Sequence, residues 1–117
     1  MTTATNGTME ERARRIASEC RSYLESAAGE VAMDAAKYPE PDVKKKIAKA
    51  KKAGVRDIEG WLADEFYNDA GFIEDFLGDR LCNECGGNKE LRNAVLDVLG
   101  KNAHPAMMKA VKNLRRD

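Results

Sequence analysis

Thr8-Met-Glu-Glu-Arg-Ala-Arg-Arg-Ile-Ala-Ser-Glu-Cys-Arg-Ser-Tyr-Leu24 decides the fold class. Its first four residues form a Thr-x-x-Glu capping box, in which hydroxyl and carboxylate satisfy the orphan amides of a helix start at about Met9. Apolar residues then recur every three or four positions: Met9, Ala13, Ile16, Ala17, Cys20, Tyr23, Leu24, Ala27 and Val31. That spacing is the helical period. Gly29 weakens the pattern, but alanines carry it to Lys37. Pro39 and Pro41 are expected to end the helix, because proline lacks the amide hydrogen and crowds the preceding turn.

The same signals repeat downstream. Asp42 is expected to cap a short helix over Val43–Ala53, closed by Gly54. Asp57 caps the next, with Ile58, Trp61, Leu62 and Phe66 on one face. Gly71 separates it from the stripe Phe72, Ile73, Phe76, Leu77 and Leu81. A loop holding Cys82 and Cys85 follows. Asn88 then caps a helix carrying Leu91, Ala94, Val95, Val98 and Leu99, which Gly100 ends. His104-Pro105 opens the last helix, with proline at the first position, where its missing amide costs nothing. Met107, Met108, Val111 and Leu114 make its inner face. No window shows strand-like alternation, and no internal repeat is visible. The expectation is an all-α fold of five or six short helices: a single compact domain over residues 8–117, preceded by a disordered tail at 1–7. Its core is expected to hold Ile16, Leu24, Trp61, Phe66, Phe72, Phe76, Leu77, Leu91, Val95, Leu99, Val111 and Leu114.

A chain of 117 residues, 43% of them apolar, can bury one core without disulfides. Charges interrupt every long apolar window, and Met1–Gly7 has neither the basic nor the apolar region of a signal peptide. Three cysteines without secretory context point to reduced thiols and a cytoplasmic protein with no membrane role.

Catalytic patterns are sparse. One histidine excludes His-Glu-x-x-His, and neither glycine-rich phosphate loop nor Gly-x-Ser-x-Gly is present. None of the eleven glutamates has a carboxylate three residues later, as magnesium-dependent helical hydrolases usually require. Asp64, Glu65, Asp69, Glu74, Asp75 and Asp79 are hard oxygen ligands in type, yet such a run is more often a solvated face. Cys82-x-x-Cys85 followed by two glycines is half of a zinc site, which only Cys20 and His104 would complete. Cys20 lies in an apolar stripe and His104 at a helix start, so zinc is not favoured and no cofactor is expected. A redox pair would need a helix N-terminus to lower the thiol pKa, and Glu84 acts the other way.

Charge carries the strongest signal. The net charge is zero, but residues 41–56 sum to +6 and residues 57–88 to −8. The basic block holds Lys44, Lys45, Lys46, Lys49, Lys52 and Arg56, and the acidic block holds Asp64, Glu65, Asp69, Asp75 and Asp79. Lysines suit phosphates and make nucleic acid one candidate partner. Against that reading, this helix has no arginine or asparagine for base edges and no aromatic residues for base stacking. The acidic block suits a basic partner or imitates a phosphate backbone. In size, helical build, sparse catalytic motifs and polarised charge the chain resembles in kind the phage-encoded inhibitors, anti-CRISPR proteins among them. The expected function is a non-catalytic binding or inhibitory protein that docks on a larger protein or nucleoprotein complex. A nucleic-acid module using Lys44–Arg56 (with Lys109, Lys112, Arg115 and Arg116) and a metal-dependent hydrolase using the 64–79 carboxylates are the alternatives.

Overall fold

The computed structural model describes residues 8–115; the expected tail at 1–7 and Arg116 lie outside the described residues. Six helices follow one another: α1 (Met9–Lys37), α2 (Pro41–Lys52), α3 (Ile58–Tyr67), α4 (Ala70–Cys85), α5 (Lys89–Gly100) and α6 (Pro105–Leu114). Among the described residues there is no strand. The capping signals operate as the sequence implies. Thr8 Oγ1 accepts from the Glu11 amide at 3.1 Å, Asp57 Oδ1 from Gly60, and Asn88 Oδ1 from Leu91. Each satisfies an amide that the first helical turn leaves unpaired.

Three boundaries differ from expectation. Pro41 does not merely end α1; it is the first residue of α2, which starts two residues early behind Glu40. Proline fits there because that amide needs no helical partner. Asp69 caps α4 through Gly71, so Gly71 sits inside the first turn instead of separating two elements. Cys82 and Cys85 are not in a loop but form the last turn of α4. Nothing in Cys-Asn-Glu-Cys breaks a helix. The break waits for Gly86, whose φ of +57° favours glycine.

The centre is aliphatic. Ile73, Leu77, Leu81 and Cys85 recur at four-residue steps along α4 and are all buried. They meet Ala13, Ile16, Ala17, Cys20 and Leu24 of α1, the Leu91–Leu99 face of α5, and Met107, Ala110 and Val111 of α6. Farther along α1, Ala27, Ala28 and Ala32 are buried where α1 meets α3, their small side chains allowing close approach. The expected aromatic core is displaced outward. Trp61, Phe66, Phe72, Phe76 and Leu114 are only half-buried. Aliphatic residues take the inner line of α4, so the rings flank it and stack on one another. Phe66–Phe72, Phe72–Phe76 and Tyr23–Phe76 have centroids 5.5, 4.6 and 6.2 Å apart. Such contacts stabilise tilted ring pairs beyond their buried area.

Helix α2 stands apart from this core. It packs chiefly on α3, through Val43, Ile47 and the buried Ala50. The molecule measures 58 × 27 × 24 Å. No helix among the described residues is long and apolar enough to cross a membrane.

Candidate docking groove

Four helices enclose one groove of about 860 Å³. Val43 and Lys46 of α2 form one bank. Leu62, Glu65 and Phe66 of α3, then Asp69, Ala70 and Glu74 around the start of α4, form the floor and inner wall. Pro105, Ala106, Lys109 and Asn113 of α6 close the far side. The position of α6 has a local cause. His104 Nε2 donates to the Tyr67 carbonyl at 2.9 Å, and the imidazole stacks on the Tyr67 ring with centroids 5.1 Å apart. This contact ties the beginning of α6 to the end of α3.

The groove mixes an apolar floor with unpaired charge. The ion pairs among the described residues are Arg14–Glu10 and Arg115–Asp97, both elsewhere. Among the described residues Lys46, Lys109, Glu65 and Glu74 make no ion pair, and the Asp69 carboxylate accepts from the Gly71 amide. Charges of both signs therefore face one concavity without neutralising each other by direct contact.

Of the residues singled out by sequence, Lys46, Glu65 and Asp69 come together here. Lys44, Lys45, Lys49 and Lys52 are exposed on the rest of α2, and Arg56 is exposed in the connection to α3. Asp64, Asp75 and Asp79 are exposed on the outer faces of α3 and α4. Glu74, named by sequence only as a candidate hard ligand, and Lys109, named only for the nucleic-acid alternative, join Lys46, Glu65 and Asp69 in the groove. Their meeting with Lys46 and Glu65 was not legible in the sequence, since it depends on the packing of α6 on α4.

The cysteine set is not assembled. Cys82 is exposed, whereas Cys85 and Cys20 are buried in the core. Burial pushes the Cys20 thiol up to about 11, with Arg80 opposing the shift. Burial likewise raises Cys85, which Arg92 partly offsets. A raised pKa favours the protonated thiol at both positions. His104 is engaged by Tyr67. Among the described residues no group of three or more His, Cys, Asp or Glu side chains is placed to hold a metal ion, the 64–79 carboxylates included.

No protein-family model, curated protein or solved structure matches the chain. The groove's own chemistry is therefore the basis for a functional reading.

Proposed function

We propose that the protein is a non-catalytic docking module of the cytoplasm that occupies the surface of a larger protein or nucleoprotein complex, inhibitory in mode. One observation carries this reading: a groove with an apolar floor and four charges of both signs, Lys46, Lys109, Glu65 and Glu74, that make no ion pair among the described residues. Interfaces take affinity from desolvated apolar and aromatic anchors and take register from complementary rim charges. Leu62, Phe66, Ala70 and Pro105 supply the first, and the lysines and carboxylates supply the second. A nucleic-acid ligand fits less well. A phosphate backbone crossing from Lys46 to Lys109 would pass over Glu65, Asp69 and Glu74, and that repulsion opposes the gain from counterion release.

The test is a pull-down from the native host with mass spectrometry, using wild type and two groove variants, Lys46→Glu/Lys109→Glu and Glu65→Lys/Glu74→Lys. The proposal expects one protein partner retained by wild type and lost from both variants. Recovery of nucleic acid alone, abolished by the lysine variant and improved by the glutamate variant, would replace the docking reading with the nucleic-acid one.

A further inference from the structure

Arg80 is left incomplete by its own chain. It is the only basic residue between positions 57 and 88. Among the described residues it forms no ion pair, and its Nε is shielded from water without a hydrogen-bond partner. Its guanidinium lies over the Tyr23 ring, 5.3 Å from the centroid. That contact covers one face of the guanidinium but satisfies none of its N–H groups. A shielded donor without an acceptor costs free energy, which a ligand that supplies the acceptor recovers.

The surroundings offer more than a point contact. Arg80 of α4 lines a surface trough of about 400 Å³ with Ser18, Glu19, Ser22, Tyr23 and Ser26 of α1. Phe72, Phe76 and Arg80 recur at four-residue steps and so share one flank of α4. Tyr23 also meets Phe76, which continues an aromatic edge away from the guanidinium. On α1 the exposed Ser18, Ser22 and Ser26 follow one another about 6 Å apart along the axis. Every second residue of an extended chain advances about 6.7 Å. A strand laid along the trough therefore brings successive peptide groups past successive hydroxyls, each able to donate and accept.

We propose that this trough binds an extended acidic–apolar segment of a partner protein. An Asp or Glu carboxylate of the segment sits on Arg80, and an apolar side chain two positions away rests against Tyr23 and Phe76. Residues two apart in a strand point the same way, so both anchors face the trough together. The planar fork of a guanidinium matches the two oxygens of a carboxylate. Glu19 lines the same trough and adds a negative charge, which disfavours a doubly charged phosphoryl group more than a singly charged carboxylate. The site goes beyond the groove reading, since trough and groove share no lining residue.

A nuclear magnetic resonance titration of the full chain, isotope-labelled in arginine and tyrosine, tests it through the Arg80 Nε–H and Tyr23 ring signals. The probe is the capped pentapeptide acetyl-Leu-Thr-Glu-Thr-Leu amide, whose sequence reads alike in both directions. Both signals should shift saturably, with half-saturation in the millimolar range expected for so short a peptide. The twin peptide with glutamine in place of glutamate should bind about tenfold more weakly, since it lacks the charge-assisted hydrogen bond. Arg80→Gln should abolish the Tyr23 shift, Glu19→Gln should tighten binding, and Lys46→Glu/Lys109→Glu should leave it unchanged. No shift in wild type, equal binding of the glutamine twin, acetate binding as well as the pentapeptide, or inorganic phosphate binding more tightly would overturn the proposal. Those four readings use the wild-type chain, so they decide the matter even if Arg80→Gln fails to fold. None of them involves the groove, so failure here leaves the groove reading standing.

Discussion

Leu77 and Trp61 show how position outweighs size. Leu77 is fully enclosed among α1, α4, α5 and α6, whereas Trp61 lies outside that cluster and keeps part of its surface in water. Truncating an enclosed leucine removes transfer energy and leaves a cavity, about 2–5 kcal/mol in all. Leu77→Ala is therefore expected to cost more than Trp61→Ala, although tryptophan loses many more atoms. Urea denaturation of both variants measures the order. Cys20 gives a second expectation at this scale. Its thiol rises from 9.0 in the unfolded chain to about 11 in the fold, chiefly through burial. A group raised on folding holds its stabilising contribution below the unfolded pKa and loses it as pH climbs through the folded one. Under reducing conditions the melting temperature should fall between pH 9.0 and about 11. Cys85 and Tyr67 shift in the same direction, so Cys20→Ala should flatten that fall without abolishing it. An unchanged slope in the variant would show that Cys20 is not its source.

At the scale of helices, most of the fold was legible in the sequence, and the reasons are local. Thr8, Asp57 and Asn88 announce helix starts by chemistry that acts within three residues, and each does so in the structure. Pro41 and Gly71 were misread because both residues are tolerated in a first turn as readily as they end a helix. Cys82 and Cys85 were misread because paired cysteines before paired glycines suggest a turn. The step of four from Ile73 to Leu77, Leu81 and Cys85 was nevertheless present and marks the helix as continuous. The half-burial of the rings was not legible, since periodicity gives a residue's face and not what covers it. Helix α2 is the element with the clearest test. Its lysines are exposed and form no ion pair among the described residues, and exposed charges contribute little to stability. Reversing Lys45, Lys46 and Lys49 to glutamate should leave the helical circular dichroism and the denaturation midpoint nearly unchanged. Loss of helical signal would mean that these side chains hold α2 on α3.

For the whole molecule, the sequence carried the two charge blocks but not the place where they meet. Lys46, Glu65 and Asp69 come from both blocks, while Lys109 comes from a helix about 40 residues farther on, brought over by the His104–Tyr67 contact. No spacing rule reaches that far. The central claim is that one partner fills this groove and touches both of its banks. Hydrogen–deuterium exchange on the captured complex, compared with the free protein, tests that most directly. The account predicts slowed exchange at the backbone around Val43–Lys46, Leu62–Glu74 and Pro105–Asn113 together, with the exposed turn at Gly86–Gly87 unchanged. Protection confined to α2, or centred on the α1–α5 side of the molecule, would contradict it.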